Sequence, residues 1–401
     1  MFTLEQLTEL AQTSPLKIVL FVMDGLGGLP HPRTRRSELE TARKPNLDAL
    51  ARDSSLGLIE PVAAGITPGS GPGHLALFGY DPVRFLIKRG IIEALGIDLE
   101  VRAGDVVARG NFCLVDDTGR IVDRRAGRLP TEINAVFCQK MNEAIKVPGV
   151  EISFFPVQDY RFVLRLRGKG LNDELTESDP GRVGDLPRQV EALSPKAAKT
   201  AEIVNRIVEQ VPRALEGQAR TNMVLLRGFS QPPDLPSISG LYKVNAAAIA
   251  IYPMYRGLAQ AVGMTVYPPA HSFAEEVEVV AQHWDQHDFF YLHYKTTDSA
   301  GEDGDFDGKV AAIEEVDAVL GRLLYLKPDV LAITGDHASP AVLKAHSWHP
   351  VPFLLSSPYT FPDHLPFTER TCAQGSLGRF PAVQVMSLLL AHALKLARYG
   401  A

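Results

Sequence analysis

The chain has 401 residues, 45% of them hydrophobic and 22% charged, a balance that excludes a disordered or collagenous chain and leaves enough sequence for two or three domains. Its formal net charge of −6 argues against a general nucleic-acid binder. The three cysteines, Cys113, Cys138 and Cys372, are widely spaced and form no C-x-x-C, which excludes a disulfide scaffold or zinc ribbon and points to a reducing compartment.

The opening MFTLEQLTEL lacks the basic start and apolar core of a signal peptide and reads as a short helix over 3–12. Residues 16–23 (LKIVLFVM) are a continuous apolar, β-branched run followed by Asp24-Gly25, the pattern of a strand buried on both faces. The same pattern recurs at 223–226, 246–252, 289–294, 330–334 and 351–355, with helical stretches at 44–53, 274–283, 309–326 and 382–397. Buried strands alternating with amphipathic helices predict an α/β protein with a mostly parallel sheet sandwiched by helices. The longest apolar runs, 16–23 and 244–255, are too short to span a bilayer, so a cytoplasmic protein with no membrane partner is expected.

The middle of the chain differs. Shorter alternating stretches at 105–116, 120–123, 151–155 and 161–167 mix with helices at 131–146 and 195–211. Gly79, Asp81-Pro82 and the segment 228–236 look like hinges. The expected organisation is a discontinuous domain, 1–82 with 232–401, carrying an inserted α+β domain at 83–231, roughly 150 residues and so of ordinary domain size. Arginines concentrate in the insert.

Ligands of open α/β sheets bind beyond the carboxyl ends of the strands. Three of the apolar runs end there in metal-competent groups: Asp24, Asp298 and the pair Asp336-His337, with His346 shortly after. Singly, each aspartate reads equally well as a turn or cap residue; the repetition is what favours a divalent-metal site. The loop GITPGSGPGHLALFGYDP (65–82) presents Ser70 just before a helical start at 74–78. A serine at a helix N-terminus faces free N–H groups, which suits a nucleophile and an incoming phosphate, although Ser70 alone also reads as an N-cap. No G-x-S-x-G is present, so this serine would need a metal for activation.

With these motifs in view, the chain resembles the archaeal type of 2,3-bisphosphoglycerate-independent phosphoglycerate mutase, within the alkaline phosphatase superfamily. The resemblance runs over nearly the whole length: FVMDGLGG (21–28), KPNLDALA (44–51), the 65–82 loop, RGIIEALG (89–96), GDVVARGNF (104–112), IVDRRAGR (121–128), LLRG (225–228), KTTDSAGEDGDFDGK (295–309), TGDHASP (334–340) and HSWHPVPF (346–353). It implies an alkaline-phosphatase-like fold and two divalent cations, manganese first, with magnesium, cobalt or zinc as alternatives, and no 2,3-bisphosphoglycerate. One cation would be held by Asp24, Ser70, Asp336 and His337. The other would be held by Asp298, His346 and the position four after Asp298, a histidine in the family but Glu302 here. His349 is the alternative ligand beside His346, although the family ligand matches His346.

The implied reaction interconverts 3-phosphoglycerate and 2-phosphoglycerate in glycolysis and gluconeogenesis, through a phosphoserine on Ser70. The resemblance makes Asp123 the proton shuttle and assigns the phosphate and carboxylate of the small glycerate substrate to Arg124, Arg161, Arg227 and Lys243, with the inserted domain closing as a lid. Two rivals share the scaffold's chemistry: a metal-dependent phosphatase or phosphopentomutase-like enzyme, and a non-catalytic phosphometabolite-binding relative disabled at Glu302.

Overall fold

The computed structural model describes residues 3–268 and 270–400. The chain divides into two compact units, Met1–Leu86 with Leu235–Ala401, and Ile87–Asp234. These seams lie a few residues C-terminal to the limits of the expected 83–231 insert. In chain order the strands are β1 (Ile18–Met23), β2 (Ser55–Glu60), β3 (Val106–Val115), β4 (Ile121–Asp123), β5 (Glu151–Pro156), β6 (Arg161–Arg167), β7 (Met223–Ser230), β8 (Ala246–Ala250), β9 (Thr265–Val266), β10 (Phe289–Tyr294), β11 (Val330–Thr334), β12 (Val351–Ser356) and β13 (Gly378–Pro381).

In the larger unit eight strands form one sheet in the order β13-β2-β12-β11-β1-β10-β8-β9. Every neighbouring pair is parallel except those made by β12, which is antiparallel to β11 and β2. All six residues of β1 are buried, which explains its unbroken apolar sequence. Burying each such large side chain contributes about 1.5–3 kcal/mol. Covering helices include Pro45–Arg52, Pro253–Ala261, Phe273–Gln282 and Phe306–Tyr325. Their starts are locally encoded: proline occupies the first turn of the first two, and Ser272 and Asp305 cap the others.

The strand directions decide which loops meet. Because β1, β10 and β11 are parallel, Met23, Tyr294 and Thr334 end on one rim. The reversed β12 begins at that rim, with Val351 beside Ile59 near the end of β2. The loops 61–69, after β2, and 343–350, before β12, therefore reach the same rim as the turns after β1, β10 and β11. Among the described residues, no helix is long and apolar enough to cross a membrane.

The smaller unit is an antiparallel sheet in the order β4-β3-β6-β5, with β7 also paired to β3. The run at 223–226, which shares the apolar pattern of the parallel strands, belongs here as part of β7. One sheet face is the core. Phe112, Phe154, Phe162, Leu164 and Leu226 pack there with residues of the helices Thr131–Ala144 and Ala198–Ala214. Alternation sends Arg109, Asn111, Arg161 and Arg227 to the opposite face, since Asn111 is in register with Arg161, and Arg109 with Arg227.

Candidate active site

The larger unit gathers its polar groups on the rim just described. Asp24, Asp298, Asp336 and His337 are fully buried, and Ser70 nearly so. His337 is central: its Nε2 lies 3.2 Å from Asp24 Oδ1, 3.3 Å from Asp336 Oδ2, 3.8 Å from Asp298 Oδ1 and 3.3 Å from Ser70 Oγ. Two sets of three side chains present ligand atoms to a common point: Asp24, Asp336 and His337, and Asp298, His337 and His346. The sequence assigned His337 to one cation; the structure puts it within reach of both sets. His346 stacks on His337 with ring centroids 3.7 Å apart, and its Nδ1 faces Pro68 O at 3.0 Å.

Two features test whether these residues suit divalent cations. Asp24 Oδ1 and Asp336 Oδ2 are buried and have no hydrogen-bond partner among the described residues. Orphaned carboxylate oxygens are costly in a protein interior unless a cation answers them. The donor set, carboxylates plus imidazoles, is also the one hard and borderline divalent metals take. The residues fit such a group.

The outer partners hold each ligand in place. Asp24 Oδ2 accepts from the Tyr255 hydroxyl and lies 3.2 Å from His293 Nε2 and 3.0 Å from Lys295 Nζ. Burial alone would raise the Asp24 pKa; Lys295, His293 and His337 outweigh it and hold the carboxyl well below its usual range. Asp298 moves the other way: burial and the Asp24 charge push it up, against Lys295. Burial opposes the charge on Lys295, but Asp24 and Asp298 keep its ammonium well above the usual value. The Ser339 hydroxyl donates to Asp298 Oδ1 and lies 3.1 Å from His337 Nδ1. Its one proton is thus used, so Nδ1–H of His337 is the donor in that contact.

Ser70 opens the helix Ser70–Leu77, where the amides of Ser70 and Gly71 precede any intrahelical acceptor. His74, one turn on, faces Ser70 O at 2.8 Å and Asp336 Oδ2 at 3.2 Å. The helix approaches the next loop so closely that a Cβ on Gly73 would stand 2.3 Å from Asp336 O. Gly25 has φ +63°, and a Cβ there would meet Asp298 Oδ1 at 2.7 Å.

Glu302, in the last turn of the helix Thr296–Asp303, points its Oε1 at His346 Nε2, 3.5 Å away. Its side chain is half exposed, so solvent screens part of this pair. Burial would depress the His346 pKa; Glu302, with Pro68 O, raises it to about 9. His349 turns to Ser347 Oγ at 3.0 Å and belongs to neither ligand set.

Lys243 is not brought to this rim. It is exposed, with φ 54°, after the helix Ile238–Tyr242 and before β8. Because β8 is parallel to β10, that position lies at the opposite end of the strands. The lysine that does stand among the carboxylates is Lys295, which sequence reasoning missed although it sits at the strand end, three residues before Asp298. His74, Tyr255, His293 and Ser339 were also missed.

The smaller unit holds the remaining expected residues. Arg124 forks onto Asp179, Nη2 to Oδ1 at 2.9 Å and to Oδ2 at 2.7 Å, and Arg227 Nη1 lies 3.9 Å from the same carboxylate. Burial would raise the Asp179 pKa; Arg124 and the Gly181 N–H outweigh it and lower it. Asp123 Oδ1 accepts from Arg125 N at 2.7 Å and Oδ2 from Gly127 N at 2.5 Å. Arg161 and Arg109 both face Glu93 Oε1, at 3.9 Å and 3.4 Å. Arg109 was missed; its signal was strand alternation, which places it on the face of Arg161 and Arg227.

A family model described as 2,3-bisphosphoglycerate-independent phosphoglycerate mutase matches residues 51–219. A Thermus thermophilus protein named as a probable enzyme of that kind is 50% identical over 400 residues, covering 98% of each chain. The chain belongs to the 2,3-bisphosphoglycerate-independent phosphoglycerate mutases. A solved structure of this family, the cofactor-independent phosphoglycerate mutase of Thermoplasma acidophilum, is similar at 28% identity and TM-score 0.67, over 94% of this chain and 100% of that one. A solved Pyrococcus horikoshii protein is similar at 27% identity and TM-score 0.83, over 98% of this chain and 100% of that one. The similarity to the mutase family thus covers both units.

Proposed function

We propose that this chain is a metal-dependent isomerase that interconverts 3-phosphoglycerate and 2-phosphoglycerate through a phosphoserine on Ser70, without 2,3-bisphosphoglycerate. The observation that carries the reading is the Ser70 hydroxyl, set at a helix N-terminus 3.3 Å from His337 Nε2, which itself faces the orphaned oxygens of Asp24 and Asp336. Asp24, Ser70, Asp336 and His337 would hold one cation, and Asp298, Glu302, His346 and the shared His337 the other. When bound, two such ions, manganese first, supply charge that lowers the pKa of the serine hydroxyl and neutralises phosphoryl oxygens.

Ser70 Oγ, its proton released to solvent, attacks phosphorus, an Oγ–P bond forms, and the bond to the glycerate oxygen breaks. The amides of Ser70 and Gly71 and the Lys295 ammonium donate to phosphoryl oxygens as their charge shifts. Asp123 carries a proton from the other glycerate hydroxyl to the leaving alkoxide, and the oxygen so freed recovers the phosphoryl group as the Oγ–P bond breaks. Arg124, Arg161 and Arg227 bind the carboxylate and phosphate of the glycerate, and Arg109 adds to the same basic face. Three buried free cysteines support a reducing, cytoplasmic setting.

The test is an enolase-coupled assay of 2-phosphoglycerate formation from 3-phosphoglycerate. The protein is first chelated, then given Mn2+, Mg2+, Co2+ or Zn2+, with no 2,3-bisphosphoglycerate. Equilibration of the two esters supports the mutase. Accumulating inorganic phosphate would make it a phosphatase, and ligand binding without turnover a disabled relative.

Arg124→Ala should lower kcat/KM about 10- to 100-fold, the size of a lost charged hydrogen-bond pair, and leave metal content unchanged. Asp179→Asn keeps Arg124 and separates its ion-pair role from its substrate role. Loss of metal with normal substrate binding in Arg124→Ala would overturn the assignment.

Glu302 departs from the family's histidine, and its carboxylate is a harder ligand than imidazole. Glu302→Ala should weaken binding at the His346 site, and Glu302→His should shift preference towards Zn2+ or Co2+. In chelated protein the same pair acts through a proton. The folded His346 pKa of about 9 lies above its ordinary value, so while Glu302 is ionised the pair's contribution is full below the ordinary imidazole range and fades as pH rises through about 9. Glu302→Gln should return the His346 titration, followed by NMR, towards the ordinary range. Metal preference and His346 titration identical in wild type and variants would leave Glu302 as surface charge.

A further inference from the structure

We propose that Lys309 is a positioning residue that locks the loops carrying both ligand sets into one arrangement. The inference rests on the metal reading above and extends it to a residue outside the ligand shell. Lys309 lies in the first turn of the helix Phe306–Tyr325 and is fully buried. Its Nζ donates to Gly25 O at 2.8 Å, Gly27 O at 3.0 Å and Ser339 O at 2.8 Å. An ammonium has three N–H donors, and all three are used on loop carbonyls. Burying such a charge is costly, and an apolar side chain would avoid that cost. Glu38 and Glu369 are its main electrostatic partners, with Asp298 and Asp24 after them.

The three carbonyls belong to two loops. Gly25 and Gly27 follow Asp24; Ser339 follows Asp336 and His337. Ser339 N also donates to Gly25 O at 3.2 Å and to Gly27 O at 3.1 Å, so the ammonium and one amide staple the same carbonyls. From Ser339 the constraint reaches the ligands. Its hydroxyl donates to Asp298 Oδ1 and lies 3.1 Å from His337 Nδ1. A shift of Ser339 would move a ligand of each set together, because Asp298 serves one set and His337 both. Outer partners of this kind are worth 10- to 100-fold in metal affinity.

The experiment titrates Mn2+ alone into chelated protein by calorimetry. It compares wild type, Lys309→Met, Lys309→Gln and Leu320→Ala, and measures kcat and KM for 3-phosphoglycerate. Leu320 is buried in the same helix, away from the loops, and reports plain loss of packing. Lys309→Met should weaken Mn2+ binding 10- to 100-fold and lower kcat at limiting Mn2+, with KM within about twofold of wild type. Lys309→Gln keeps two N–H donors and should fall between; it carries the test if Lys309→Met does not fold. Leu320→Ala should melt earlier and bind Mn2+ as wild type does. Mn2+ affinity within twofold of wild type in the Lys309 variants would overturn the proposal, as would an equal loss in Leu320→Ala. A wild type that takes up no Mn2+ would instead sink the metal reading, and this inference with it.

Discussion

Ser70→Ala is expected to abolish mutase activity, by on the order of 10⁴-fold or more, while the protein stays folded. The change removes one oxygen from a residue 4% exposed, whose hydroxyl lies 3.3 Å from His337 Nε2. The helix start does not depend on it, because Gly69 is the N-cap and makes no side-chain cap bond. Packing of Leu75, Leu77 and Phe78 behind it should be unaffected. The covalent route, by contrast, has no other oxygen nucleophile in this turn. Thermal melting together with ³¹P NMR of the two phosphoglycerates measures both halves of the expectation. Near wild-type turnover in a folded Ser70→Ala protein would rule out the phosphoserine mechanism.

What was legible in the sequence follows the strength of local signals. β1, β10 and β11 are continuous apolar runs that end in aspartates or their neighbours, so both the strands and the rim could be read. The strands at one end of the sheet, β2 and β13, were not, because Ser55–Glu60 and Gly378–Pro381 carry too little apolar periodicity. The reversal of β12 has no sequence signature either; its residues are buried like those of a parallel strand. That reversal nevertheless brings His346 to the site. Conversely, Lys243 was assigned by resemblance, without strand direction, and the parallel pairing of β8 with β10 puts it at the end opposite the rim.

The supporting residues were hidden for a related reason. Tyr255, His293, Ser339 and Lys309 each lie on an element where an aromatic, a strand histidine, a turn serine or a helix lysine is unremarkable. Only tertiary contact shows that three of them surround Asp24 or Asp298 and the fourth ties their loops together. On the smaller unit, strand alternation already contained the grouping of Arg109 with Arg161 and Arg227. The register between β3, β6 and β7 was needed to extract it.

The second large effect concerns His337. His337→Ala should lower activity on the order of 10³-fold, beyond the 10- to 100-fold typical of an outer partner, and should impair metal binding at both sets. Its Nε2 is the atom the two sets share, within 3.3 Å of Asp24 and Asp336 and 3.8 Å from Asp298. Without it, Asp24 Oδ1 and Asp336 Oδ2, already lacking hydrogen-bond partners, lose the group facing them. The stacking surface for His346 goes as well, its centroid 3.7 Å away. His346→Ala removes a group from one set only and should leave the Asp24–Asp336 set able to bind. Elemental analysis after dialysis, beside the coupled assay, separates the two variants. The expected order is wild type above His346→Ala above His337→Ala in bound metal. Equal loss in both variants would show that His337 serves one set, as the sequence alone had assigned it.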